Sequence, residues 1–275
     1  MNNKNNFKFR IDELDFNTGN LKVKNSLHPD FWVKYGLKGV IRSRLIEISE
    51  TLIHNIDSIA KIEDIRLTGS MASFNWHALS DIDLHIVLDF QKIDENSELV
   101  RDLLNTKRLQ WNKRHNITIY GHEVEIYFED IRDAHQSAGI FSILHNEWVK
   151  KPRKESVEID YDGSTSKAEK IASEIDLVYS LHSKEQYEEA YMLAKKLKNK
   201  IRKLRQAGLS REGIYSVENL AFKLLRNSDF LQRLSILKDL SYDKMYSLEK
   251  GAEIGVNIVE NTKNTVTKWK NYLQN

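Results

Sequence analysis

The stretch that decides the fold is LTGSMASFNWHALSDIDLHIVLDF, residues 67–90. Its second half alternates. Ile82, Leu84, Ile86, Leu88 and Phe90 fall on one face and Asp81, Asp83, His85, Val87 and Asp89 on the other, the period-two pattern of a strand with one face in a core. At ~3.4 Å per residue, Asp81 and Asp83 point the same way with Cα atoms ~6.5–7 Å apart. Left alone, two such carboxylates would repel and lose hydration at a cost on the order of several kcal/mol, so a cation is expected between them. The plain alternative is a solvent-facing strand that carries charge for solubility.

Working outward, residues 36–60 place Val40, Ile41, Leu45, Ile48, Leu52, Ile53, Ile56 and Ile59 at helical spacing and lead into a short strand, IRLTG. After Gly69, the segment SMASFNWHALS reads as a helix start or compact turn with Ser70 as a possible cap. Residues 95–114 read as a helix with Leu99, Leu103 and Leu104 inside, and ITIYGHEVEIYFED as two strands around a Tyr-Gly-His bend. The next segment, IRDAHQSAGIFSILHNEWVKKP, suggests a helix start and then a hairpin around His145 and Asn146. The expectation is an α/β or α+β layer, a mixed sheet flanked by helices, over residues 1–152.

The composition changes at KKPRKE, where Pro152 and a charge cluster suggest a boundary. Residues 153–250 are expected to form an all-helical C-terminal domain, with breaks near 183, 208 and 228, and 251–275 a polar tail or a terminal helix. Tyr187, Tyr191, Ala194, Leu197, Ile201 and Leu204 form its clearest apolar stripe.

The 275 residues contain no cysteine, which excludes a disulfide framework and thiolate metal sites. No apolar run is long enough for a bilayer, and MNNKNNFKFR lacks the apolar core of a secretion signal, so a soluble, cytoplasmic protein without a membrane partner is expected. Two Pro, 11 Gly and 30% charged residues argue against both a β-sandwich and a disordered chain. The net charge of +2 is unevenly spread: residues 1–150 hold 19 Lys and Arg against 22 Asp and Glu, which leaves +5 for residues 151–275. An acidic half beside a basic one suits a metal site that faces an anionic substrate.

A third acid can come from HEVEIYF, where Glu123, Glu125 and Tyr127 alternate with Val124, Ile126 and Phe128. Glu125 is preferred to Glu123 because apolar neighbours set it deeper, away from the turn. Gly69 permits close backbone approach to a phosphate, and the Ser70 hydroxyl with the amides after it can hydrogen-bond one. An all-oxygen set beside a phosphate favours Mg²⁺, or Mn²⁺, over zinc.

Gly69-Ser70, nine intervening residues, Ser80-Asp81-Ile82-Asp83-Leu84 and a later apolar-flanked Glu125 resemble the signature of the DNA polymerase β-like nucleotidyltransferase superfamily, and in particular uncharacterised nucleotidyltransferases of bacteria and their phages. The motif region spans residues 65–128, and the helical segment after it resembles the second domain common in that superfamily. The resemblance implies two-metal transfer of a nucleoside monophosphate from an NTP, with Asp81, Asp83 and Glu125 as catalytic and metal-holding acids and Gly69, Ser70 and Ser80 at the nucleotide. The acceptor is left open among a polynucleotide end, a small hydroxylated molecule, a protein side chain and a second nucleotide. The Ser80–Leu84 string also resembles oligoadenylate synthetases and bacterial cyclic-dinucleotide synthases, and a non-catalytic nucleotide- or RNA-binding module is the alternative from another class.

AKKLKNKIRKLR puts seven basic residues between Lys195 and Arg205. Such a run is either a solvated helix face or a polyanion surface for RNA, with Lys200 or a neighbour reaching the triphosphate. Trp76 and His77 are read as loop packing or as a base-stacking pair, and His85 as a structural histidine or a nucleotide contact. Phe222, Lys223 and Arg226 give a helix with one apolar and one basic side, and no role is assigned to them.

Overall fold

The computed structural model describes residues 16–34, 36–55, 60–134, 137–154 and 157–248. After a 3-10 turn at Thr18–Leu21 come β1 (Trp32–Val33), β2 (Gly36–Leu37), α1 (Gly39–Asn55), β3 (Ile62–Thr68), β4 (Ile82–Leu88), α2 (Phe90–Ile93), α3 (Ser97–Arg114), β5 (Thr118–Ile119), β6 (His122–Asp130), β7 (Ile140–Ser142) and β8 (Glu147–Lys150). The rest is helical: α4 (Tyr161–Ser183), α5 (Tyr187–Glu212), α6 (Val217–Asn227) and α7 (Phe230–Tyr246). A mixed sheet flanked by helices, then a helical C-terminal region, is thus the observed class. The described part of the chain groups into two compact units, 16–169 with 204–228 and 170–203 with 229–248. The segment around Pro152 has no secondary structure and leads into α4. The expected tail, 251–275, lies outside the described residues.

The six-stranded sheet runs β5-β6-β4-β3-β7-β8, with β4 and β6 parallel and every other pair antiparallel. Its core face carries Ile65, Leu67, Ile82, Leu84, Ile86, Leu88, Val124, Ile126 and Phe141, packed with Ile41, Leu45, Ile48 and Leu52 of α1 and with Val100 and Leu104 of α3. Burying each aliphatic side chain contributes about 1.5–3 kcal/mol, which pins the strand register and drives the intervening polar residues onto the opposite face. The β5–β6 hairpin closes over Tyr120 and Gly121, both at positive φ, the geometry that suits a two-residue turn. β5 pairs only at Thr118 and Ile119, and further along β6 the Asn112 side chain bonds both the amide and the carbonyl of Ile126, so α3 finishes the sheet edge.

Several expectations shift. Helix α1 starts at Gly39 because Gly36 and Leu37 pair with β1, and residues 56–59 lie outside the description. The stretch after Gly69 is a run of turns with no helix, and the described part of 131–139 also holds none. The hairpin around His145 and Asn146 is present as β7–β8. In α3 it is Val100 and Leu104 that are buried, while Leu99 and Leu103 face solvent, since the i,i+4 pair meets the core. Gly208 does not break α5. A Cβ there would come within 2.5 Å of Ser216 Oγ and 2.7 Å of Glu218 Cβ, so the glycine lets α5 pass close to the start of α6.

Candidate active site

The polar face of the sheet is organised in rows fixed by strand register. Thr68 of β3 lies beside Asp83 of β4, and Asp83 beside Glu125 of β6. The next row runs Ser142, Arg66, His85, Tyr127. Because β4 and β6 are parallel neighbours ~4.8 Å apart, Asp83 and Glu125 stand side by side. Asp81 sits one residue before β4, where its carboxyl is pushed up by burial and then by the charges of Glu125 and Glu123, while Arg226 holds it down. Asp81 and Glu125 therefore share one electrostatic site, and exposed Glu123 lies at its rim.

The turn after β3 is built against these acids. Gly69 has φ +67°, and a Cβ there would fall 1.7 Å from Asp83 Oδ2, so only a glycine lets the backbone lie on that carboxylate. The Gly69 amide donates to Ser137 Oγ at 3.3 Å, and the Trp32 indole donates to the Met71 carbonyl at 2.9 Å. Ser70 Oγ hydrogen-bonds Ser80 Oγ at 2.8 Å, and the Ser80 hydroxyl also accepts from the His77 amide. The Ser80 carbonyl takes His122 Nδ1 at 2.7 Å, so Nδ1 carries the proton. Ser70 and Ser80 thus tie both ends of the turn together next to Asp81.

Cations reach this edge from α6 and the end of α5. Arg226 Nη1 lies 3.9 Å from Asp81 Oδ2, a loose and solvent-exposed pair worth little by itself. Three residues back on the same helix face, Lys223 has its pKa lowered to about 8 by burial and by the Arg226 and Arg205 charges. Arg205 lies 4.2 Å above the Phe222 ring and bonds Asn219 Oδ1, and its charge interacts with Asp83 and Tyr127. His77 is buried next to the same positive group: desolvation first, then Lys223 and Arg226, hold its pKa at about 4. Its Nδ1 accepts from the Leu79 amide, as a neutral imidazole can. Helix α6 is fixed by its Ser216 cap and by Glu218, which pairs with Lys167 at 2.6 Å and Arg211 at 3.1 Å.

The remaining acid has its own support. Tyr127 donates to Glu125 Oε2 at 2.5 Å, and its hydroxyl is kept protonated by burial first and then by Glu125. Below it a buried ionic chain runs from Asp64 through Arg66 to Glu129 and His85, at 3.0, 2.8 and 3.1 Å. His85 is thus engaged on Glu129 and stacked on Tyr127, and Trp76 packs on His28 with its indole donating to the Ser26 carbonyl.

Among the described residues, no three His, Asp or Glu side chains converge as a ready-made metal cage. The donor set nevertheless suits a hard divalent cation: every candidate atom is a carboxylate oxygen, and the upward push on Asp81 from Glu125 and Glu123 marks negative charge that such an ion would relieve. Lys200 belongs to the other compact unit, where it pairs with Glu174 at 2.5 Å. The cations that act on the acids are Arg226, on Asp81, and Arg205, on Asp83, with Lys223 next to both cations. The one sequence signal for them was the i,i+3 spacing of Lys223 and Arg226 on an amphipathic helix.

No helix of the described chain is long and apolar enough to cross a membrane. No protein-family model and no curated protein matches the sequence. Among solved structures the chain is similar to the STING-associated CdnE c-di-GMP synthase from Capnocytophaga granulosa, with 15% identity and a TM-score of 0.21, covering 76% of this chain and 84% of that one.

Proposed function

We propose that the protein is a nucleotidyltransferase that moves a nucleoside monophosphate from an NTP to an acceptor hydroxyl. The observation that carries this reading is the register of Asp83 beside Glu125, with the Gly69 backbone against Asp83 and Arg226 of α6 facing Asp81. Asp81, Asp83 and Glu125 would hold Mg²⁺ or Mn²⁺. Bound there, such ions lower the pKa of the acceptor hydroxyl and neutralise the departing pyrophosphate. In the transfer, the bond from acceptor oxygen to the α-phosphorus forms as the bond from the α-phosphorus to the bridging oxygen breaks, and pyrophosphate leaves.

The chain's own groups supply position and charge. Lys223, Arg226 and Arg205 bind the triphosphate, and Arg226 shields Asp81 until nucleotide arrives. Gly69 and Ser70 let the backbone lie close to a phosphate, and the Ser70–Ser80 bond keeps that turn closed. On α5, Lys195, Lys196, Arg202 and Lys203 fall within one third of the helix circumference and are exposed, whereas Lys198 and Lys200 at the margins engage Ser235 and Glu174. That stripe supports a polyanion such as RNA as partner, read as binding that weakens steeply with salt.

The test is incubation with each α-labelled NTP and Mg²⁺, first alone and then with total RNA or with protein extract. Label transfer with pyrophosphate release, lost by a factor on the order of 10³ in Asp83→Asn, is the expected result. The species that takes up label identifies the acceptor: RNA, a protein, or a nucleotide joined into an oligonucleotide or cyclic dinucleotide. Undiminished turnover by Asp83→Asn rejects the site, and nucleotide binding without turnover favours the non-catalytic module.

A further inference from the structure

Glu125 has a neutral donor dedicated to it. Tyr127 lies two residues along β6, hence on the same face, and its hydroxyl bonds one carboxylate oxygen, Oε2, at 2.5 Å. The ring cannot swing freely. It stacks on the His85 imidazole with centroids 4.9 Å apart and planes 16° apart, and the Arg108 guanidinium covers it at 4.9 Å. His85 is itself anchored on Glu129, whose other oxygen takes Arg66, and Arg66 is fixed by Asp64, which also accepts from Ser142. A chain of buried and half-buried partners thus ends on a single oxygen of Glu125.

We infer that Tyr127 is a positioning residue for Glu125: it fixes the carboxylate so that one oxygen is held and the other is presented to a divalent cation. The inference rests on the metal-binding reading of Glu125 given above. A flexible glutamate loses rotamer freedom when it takes a ligand, and a prior short O–H···O⁻ bond removes much of that loss from the binding step. A lysine or arginine at the same place would orient the carboxylate but also neutralise it and compete with the ion. A phenol orients it and leaves the charge.

Tyr127→Phe deletes only the hydroxyl and keeps the stack on His85. The experiment measures Mn²⁺ affinity by electron paramagnetic resonance on the full chain with a non-hydrolysable NTP analogue, together with thermal stability and turnover across a Mg²⁺ titration. The expected result is Mn²⁺ binding weakened about 10- to 100-fold, with turnover partly restored at high Mg²⁺ and the melting temperature little changed. Wild-type Mn²⁺ affinity in Tyr127→Phe overturns the inference. Glu125→Gln separates the two levels: if it weakens Mn²⁺ while Tyr127→Phe does not, only the positioning role fails, and if Glu125→Gln itself leaves Mn²⁺ binding intact, the metal reading of Glu125 fails with it.

Discussion

On one face of the sheet, two adjacent rows handle negative charge differently. The row of Arg66, His85 and Tyr127, with Asp64 and Glu129 behind it, contains its own cation: Arg66 bonds Asp64 and Glu129 at 3.0 and 2.8 Å, and all three side chains are largely shielded from water. Beside the row of Thr68, Asp83 and Glu125 lies Asp81, two residues before Asp83, and the cation paired with it is Arg226, 3.9 Å away and solvent-exposed on another element. The first arrangement is closed by short bonds within the fold. In the second, the contact between Asp81 and Arg226 is long and exposed. Composition alone makes the rows alike, since each holds acids beside basic or polar residues. Distance and burial tell them apart.

The largest effect should come from breaking the closed row. Arg66→Ala leaves Asp64 and Glu129 buried without their cation and is expected to destabilise the fold by about 3–5 kcal/mol in urea unfolding, whereas Asp83→Asn should leave stability nearly unchanged and remove activity. Equal destabilisation by both would erase the distinction between the rows.

Next comes pH. His77 is neutral in the folded protein down to about pH 4, but titrates at its ordinary value when unfolded. Unfolding therefore takes up a proton as the pH falls below that value, so stability drops between about pH 6.5 and 4, by about 3 kcal/mol in full. His77→Asn should flatten this slope, and Arg226→Met should lessen it by lifting one of the charges that keep His77 neutral. A slope unaltered in His77→Asn assigns the proton uptake elsewhere.

Gly69→Ala probes the seam between turn and acid. Its φ of +67° costs an alanine about 1–2 kcal/mol, and the added Cβ must displace the Asp83 carboxylate. Moving a catalytic group by ~1 Å is expected to lower kcat about 10²-fold, with a much smaller change in NTP binding. A Gly69→Ala protein with full kcat would mean that the placement of Asp83 is not critical.

The smallest effects compare the two basic features. Arg226→Met should raise KM for NTP about 10-fold, the loss of one charge-assisted contact. Lys200→Met should change it less than about 2-fold, because Lys200 is engaged with Glu174. The reverse ranking would restore the triphosphate to the basic run on α5.

The acids were legible in the sequence because a strand's period is two: Asp81 and Asp83 against Ile82, Leu84 and Ile86 admit one orientation, and the Tyr-Gly bend defines where β6 begins. Their parallel register was not legible, since β4 and β6 are joined through α2, α3 and β5, and only packing sets which residues meet. The cations were missed for a related reason. Lys223 and Arg226 lie some 140 residues beyond Asp81, and two basic residues on an amphipathic helix are common, whereas seven in eleven residues draw attention. Gly208 misled in the same way: a glycine within a helical pattern suggests a break, yet here it serves the close passage of α5 by α6.

The most direct measurement is a crystal structure with Mn²⁺ and a non-hydrolysable NTP, read by anomalous scattering. Manganese peaks are expected within ligand distance of the Asp81, Asp83 and Glu125 carboxylates, with a triphosphate running towards Lys223 and Arg226. Manganese and triphosphate bound elsewhere, with those three carboxylates uncoordinated, would contradict this assignment.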